Sequence, residues 1–467
     1  MARVVLAPAL TRWLPPTEGH PGGELCMQLA GGSVGELLQA VFARHPVLRG
    51  YVLDEHGAVR HHVAVFVDGQ CLRDKRDLAQ TVGEDAELYV CRRCREADMS
   101  DRLLVSSRKG LFVLERAKRA EGEWRITDTA FLGDNVALAL ADPRDGNWYA
   151  ALDLGHFGAK LHRSADQGRH WQEVGVPAYA EGDQVIPGDG KPAQAAALRL
   201  IWSLEAGGAD EPGRLWAGTI PGGLFRSDDH GSSWQLVRGL WDRPERHQWF
   251  GGGYDHPGIH SVCVDPRDPR CLRVAISSGG VWRSDDAGEN WTQTAQGMIA
   301  RYMPEGLQGD PNIQDVHRLV QARSAPEVFW AQHHNGVFRS TAGGGDWHEI
   351  TDVPPSVFGF AVAVHPRDAD TAWFVPAVKD EKRYPVDAQL VVARTRDGGR
   401  SFETLHRGLP EAQAYDLVYR HGLAVDDSGD RLAFGSTTGG LWTSDDQGDR
   451  WQPLAARLPP IHALTFA

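Results

Sequence analysis

One short pattern recurs six times along this chain of 467 residues. RSADQGRHW at 163–171, RSDDHGSSW at 226–234 and RSDDAGENW at 283–291 are followed by RSTAGGGDW at 339–347, RTRDGGRSF at 394–402 and TSDDQGDRW at 443–451. The common form is S/T-x-D-x-G-x-x-W, and the copies begin at Ser164, Ser227, Ser284, Ser340, Thr395 and Ser444, 49 to 63 residues apart. That period suits one four-stranded sheet per repeat, which narrows the fold to a ring or array of sheets. Within a copy the chemistry is that of a turn. The Asp accepts hydrogen bonds from backbone N–H groups a few residues on, the Gly permits positive φ, and the Trp buries a large ring under the next element. Asp166, Asp229, Asp286, Asp397 and Asp446 are therefore read as structural.

The pattern resembles the Asp-box, or BNR repeat, of sialidases, sortilin-type receptors and uncharacterised bacterial sialidase-like propellers. The resemblance implies that the box forms the turn between the third and fourth strands of a blade, on the face opposite the ligand site. Apolar first and second strands precede each box, for example 259–264 and 272–277. Six blades are complete. Segments 103–106, 111–115 and 124–127 read as a seventh that lacks a first strand, and 461–466 reads as a first strand without a blade. Joining them removes the open sheet edges. The expected fold is mainly β: a seven-bladed propeller over 101–467, sealed by its C-terminal strand.

Residues 1–98 carry no box. Strands are expected at 4–10 and 24–29, a capping-box helix begins at Ser33, and a hairpin with an Asp68-Gly69 turn follows. This order resembles the ubiquitin-like β-grasp of MoaD/ThiS-type sulfur carriers. Those proteins are activated at a terminal Gly-Gly, which this tail lacks, so the resemblance implies docking rather than sulfur transfer. Cys91 and Cys94 at the join are half a metal site at most.

A net charge of −13 argues against nucleic-acid and anionic-membrane partners. No apolar stretch reaches membrane-spanning length, and the opening MARVVLAPALTRWLPP has no signal-peptide pattern, so a cytoplasmic location is expected. Six cysteines do not suggest a disulfide framework. The oligomeric state is not readable.

Long irregular loops at 175–197, 238–258, 295–315 and 376–388 fall on the face opposite the boxes, where function is expected. They and the strands they enter supply Tyr254, Asp255, His256 and His260, then Asp315, His317 and Arg318, and His333 and His334. His260, His317, His333 and His334 are candidate ligands for a divalent metal in the funnel, with hydrogen-bonded structural histidines as the alternative. A sialidase would need an arginine triad, which is not evident. Glu305, Asp310 and Asp315 could serve a glycosidase, but no motif selects them. The favoured expectation is a non-catalytic binding or scaffolding protein, with a protein partner or a small-molecule or glycan ligand on the loop face. The alternative is a sialidase-like or glycosidase hydrolase acting in the funnel, with or without a metal.

Overall fold

The computed structural model describes residues 1–6, 25–53, 57–59, 63–68, 70–72, 78–83, 86–92, 99–116, 123–186, 192–454 and 457–467. The chain divides into two compact units, Met1–Asp98 and Met99–Ala467. In the first, five strands form one sheet in the order 25–29, 2–6, 87–92, 63–67, 70–71. Ala2–Leu6 runs parallel to Glu87–Arg92 and antiparallel to Leu25–Leu29. The helix Val34–Arg44 starts where the Ser33 hydroxyl accepts the Glu36 amide, and it buries Val34, Leu37, Leu38, Val41 and Phe42. The Cys94 backbone and the side chains of both Cys91 and Cys94 lie outside the described residues, as does Gly69 of the expected turn.

The second unit contains seven four-stranded antiparallel sheets among the described residues. Their first strands are Ile461–Phe466, Val136–Ala141, Leu200–Ala206, Ile259–Val264, Val316–Gln321, Gly359–Val364 and Leu423–Val425. Each first strand contacts the next, and Leu423–Val425 contacts Ile461–Phe466, so the series closes on itself. Ile461–Phe466 completes the earliest sheet by pairing with Arg102–Ser107, with Leu464 opposite Val105 and Phe466 opposite Leu103. Aromatic side chains fill the space between sheets. Trp216, Trp249, Trp282 and Trp291 form one such cluster with Ile259, Leu272 and Ile276. An apolar run predicts one strand over 417–425, but only Leu423–Val425 pairs. A turn closed by the Gly422 amide on the Tyr419 carbonyl takes the preceding residues out of the ladder.

Five of the six repeated turns share one hydrogen-bond scheme; in the copy at 340, with Ala342 in place of the Asp, the Ser340 hydroxyl donates to the Gly345 carbonyl instead. In the copy at 227, the Ser227 hydroxyl donates to Asp229 Oδ1 at 2.9 Å and accepts the Gly231 amide at 2.9 Å. Asp229 Oδ1 also accepts the Ser233 amide at 2.8 Å. Asp166, Asp286, Asp397 and Asp446 accept the corresponding amides, each at 2.9 Å. His230, just before the Gly, has φ of 58°, the left-handed conformation that the tight turn demands.

Candidate functional site

The first strands share an irregularity that sets the site. In five of them the register slips around a single residue, which faces no ladder partner: Ala137, Trp202, His260, His317 and His462. In a sixth the slip spans Phe360 and Ala361. A bulge re-aims its side chain away from the ladder. Here the bulged side chains meet near the axis, with contacts that link sheets not adjacent in the ring. His421, just before the last first strand, donates from Nε2 to the His260 carbonyl at 2.9 Å. The Arg420 guanidinium lies 4.8 Å from the centre of the Trp202 ring and 5.3 Å from that of Phe360.

Asp315, His317 and His334 form the chemical centre, with one candidate ligand atom from each lying within 4.8 Å of the others. Asp315 Oδ2 is 3.3 Å from His334 Nδ1 and 3.7 Å from His317 Nε2. His317 Nδ1 donates to the Gly359 carbonyl at 2.7 Å, and its ring stacks on Phe360 at 4.3 Å. The His334 amide donates to the Asp315 carbonyl at 2.9 Å, which extends the pairing of the first and second strands beyond Val316 and His333. Gly252 lies against the carboxylate: a Cβ there would come within 2.9 Å of Asp315 Oδ2. Burial opposes the charge on Asp315, but the His317 and His334 rings and the Arg420 charge hold its carboxyl well below the usual range. Burial pushes the His317 pKa down, against the opposing pull of the Asp315 carboxylate. Burial also acts on His334, but the Asp315 hydrogen bond and charge outweigh it and raise its pKa.

Several buried polar atoms here lack a protein partner: Arg420 Nε and Nη2, Asp315 Oδ1, His260 Nε2 and Gln314 Oε1. Arg420 is only 8% exposed. Its two unpartnered nitrogens are neighbours on one edge of the guanidinium, the edge that can form two parallel hydrogen bonds. Around this centre the loop face is aromatic and apolar. Among the described residues, the exposed large apolar side chains of the second unit are Leu132, Phe157, Ile186, Tyr254, Tyr302, Leu307, Tyr415 and Tyr419, all on this face, and Ile126 on an outer strand.

Of the residues singled out from the sequence, Asp315, His317 and His334 come together. Two of the four histidines proposed as ligands do not join them. His260 is fully buried, pairs through Nδ1 with Ser261 Oγ at 2.9 Å and packs against Trp202. His333 turns away, because adjacent strand residues face opposite sides. Its Nδ1 accepts the Asn335 amide at 3.0 Å and its ring meets Phe338 edge-on at 5.2 Å. Tyr254 stands at the rim, 51% exposed, with its ring edge-on to Trp202. Asp255 is exposed and His256 buried. Arg318 donates to the His260 carbonyl at 3.3 Å. Glu305 is exposed, and Asp310 caps the short helix Pro311–Ile313. Sequence reasoning missed Arg420, Trp202 and His421. A usable signal was the apolar residue followed by His or Trp and then a small residue near the start of a first strand, as in IWS at 201–203, IHS at 259–261 and IHA at 461–463.

A shallow concavity of about 410 Å³ lies instead at a box turn, lined by Arg283, Asp285, Asp286, Asn290, Thr292 and Thr294. Its carboxylates are already engaged, Asp285 by Arg283 at 2.7 Å and Asp286 by Asn290 at 2.8 Å. It belongs to the scaffold.

No family model matches the chain. In sequence it is similar to the xyloglucanase Xgh74A of Acetivibrio thermocellus, at 22% identity over 269 residues, 51% of this chain and 29% of that protein. It is also similar to the oligoxyloglucan-reducing end-specific xyloglucanase of Emericella nidulans, at 24% over 282 residues, 54% of this chain and 32% of that protein. The crystal structure of the GH74 xyloglucanase from Xanthomonas campestris aligns with a TM-score of 0.53 at 19% identity, covering 77% of this chain and 53% of that one. The fold is a β-propeller. The chain spans about a third or less of the length of these two curated relatives. One expectation is corrected here. A non-catalytic binding or scaffolding protein does not stand against relatives named as xyloglucanases over half of the chain, which favour the hydrolase alternative. The sialidase-like label and the protein partner on the loop face likewise find no support among these relatives.

Proposed function

We propose that this protein is a glycan hydrolase that receives a xyloglucan-type polysaccharide or its oligosaccharides on the aromatic loop face and acts on it beside Asp315. One observation carries the reading: buried donors on Arg420 and a buried acceptor on Asp315 stand unpartnered under an exposed tyrosine rim. A sugar supplies both hydroxyl donors and hydroxyl acceptors, and its C–H faces suit aromatic rings. Burying such groups without partners costs roughly 1–3 kcal/mol each, so a ligand that satisfies them gains affinity and orientation together. The similarity to xyloglucanases supplies the substrate class.

The scaffold reading belongs with it. We take the seven sheets as the blades of a closed seven-bladed propeller with Asp-box turns. The closed series of first strands supports this. The sheet order and the helix Val34–Arg44 of Met1–Asp98 support a ubiquitin-like β-grasp.

The test is release of reducing ends from xyloglucan, its oligosaccharides and other β-glucans, with binding followed in parallel by calorimetry. Cleavage is expected, falling at least about 100-fold in Arg420→Met with no loss of melting temperature. Binding without cleavage would remove the hydrolase and keep the glycan face. Neither binding nor cleavage of any glycan would overturn both.

A further inference from the structure

We propose that Asp315, His317 and His334 bind one divalent transition-metal ion, such as zinc, through Oδ2, Nε2 and Nδ1. The geometry of the three side chains supports such a site whether or not the ligand is a glycan.

One hydrogen bond fixes the His317 tautomer. The Gly359 carbonyl can only accept a hydrogen bond, so Nδ1, at 2.7 Å, carries a proton. In the neutral ring Nε2 then presents a lone pair. That lone pair faces an ionised carboxylate oxygen across 3.7 Å, too long for a hydrogen bond, with His317 and Asp315 both buried. Two lone-pair donors held face to face in a buried site repel unless a cation lies between them. A metal ion between them relieves the repulsion and also engages the third donor, His334 Nδ1, which lies 3.3 Å from the same carboxylate oxygen.

The three ligand atoms lie within 4.8 Å of one another, somewhat more open than a bound ion would hold them, so binding draws the two imidazoles inward. A metal about 2.1 Å from each ligand sets neighbouring ligand atoms about 3.0–3.5 Å apart. The observed separations from Asp315 Oδ2 are 3.3 and 3.7 Å. Two histidines and one carboxylate with remaining positions open is a recurrent set for catalytic zinc and ferrous iron. The His317–Gly359 bond is the outer contact that fixes a ligating imidazole in one tautomer and orientation. A proton on His334 Nδ1 competes with the ion and is displaced on binding. Arg420 is the charge that opposes a cation here. It leaves the carboxylate to the histidines, however: its Nε and Nη2 have no protein partner, and Asp315 forms its ion-pair contacts with His317 and His334. His334 is partly exposed, which gives an ion a way in.

The experiment uses the full-length chain, stripped with a chelator and titrated with Zn²⁺ by calorimetry and with Co²⁺ by visible absorption. About one equivalent of each is expected per chain, with a rise in melting temperature as metal is added. His334→Ala and Asp315→Asn are expected to weaken binding at least about 100-fold. His333→Asn, one residue away, should keep the stoichiometry. His334 sits at the partly exposed edge, so that variant should fold even if the Asp315 variant does not. No binding of either ion by the wild type at 100-fold excess, or binding that survives His334→Ala, overturns the proposal. These readouts contain no glycan, so failure to cleave xyloglucan leaves the metal site untouched, and absence of metal leaves glycan cleavage untouched.

Discussion

At the box turns Asp229 Oδ1 accepts both the Ser227 hydroxyl and the Ser233 amide, and Oδ2 takes the Ser233 hydroxyl at 2.6 Å. At the opposite end of the ring Asp315 Oδ1 is buried with no partner, and Arg420 is buried between aromatic rings with two idle nitrogens. The same antiparallel sheets thus end in two kinds of chemistry. On the box face each of the five box aspartates is matched by a donor within four residues, so those turns are self-sufficient and repeat. On the loop face the polar groups come from different sheets and are matched neither locally nor completely. The first arrangement stabilises a turn; the second leaves binding capacity at a cost in stability.

Removing what both faces share has the largest expected effect. A chain ending at Pro460 loses Ile461 and Leu464, both buried, each contributing roughly 1.5–3 kcal/mol, and it exposes the edge of Arg102–Ser107. It should aggregate or melt far below the full-length protein in a thermal scan. A normal melt would mean that the ring does not depend on its last strand. Next in size, Asp229→Ala leaves the Ser233 amide without its acceptor and should cost roughly 1–3 kcal/mol in denaturant unfolding. Glycan affinity of the folded variant should not change. A large loss of binding at unchanged stability would erase the difference between the faces. The smallest effect is acid sensitivity. The Ser401 side chain and amide hold the Asp397 carboxyl down at about 2, and Asp166, Asp229 and Asp286 are lowered too, Asp166 and Asp286 by hydrogen bonds and Asp229 by hydrogen bonds that outweigh burial. A depressed pKa contributes stability above the unfolded value near 4, and that contribution is lost as pH falls towards the folded value. Melting temperature should therefore drop between about pH 4 and 2, and less steeply in Asp397→Asn. An unchanged slope in that variant would show that its carboxylate is not part of the turn's stability.

Much of this was legible in the chain itself, because the signals are local. The box is a contiguous eight-residue pattern, so its Ser-Asp-Gly hydrogen bonds follow from spacing alone. The Ser33 cap and the alternating apolar residues of Ile461–Phe466 are equally short-range. The site is another matter. His333 and His334 look alike in sequence, but strand alternation sends one into the core beside Phe338 and the other to Asp315. Arg420 sits in an apolar run that reads as continuous strand, and the Tyr419–Gly422 turn lifts it out. Whether His260 or His317 aims along the ladder or towards the axis depends on a one-residue slip against the second strand. That slip is decided by hydrogen bonds to another segment. Local sequence therefore determined the repeat, its turns and the closing strand. Only the folded ring decided that Trp202, Phe360 and Arg420, carried by three different sheets, would meet beside Asp315, because axial closure brings together residues whose sequence spacing carries no trace of their proximity.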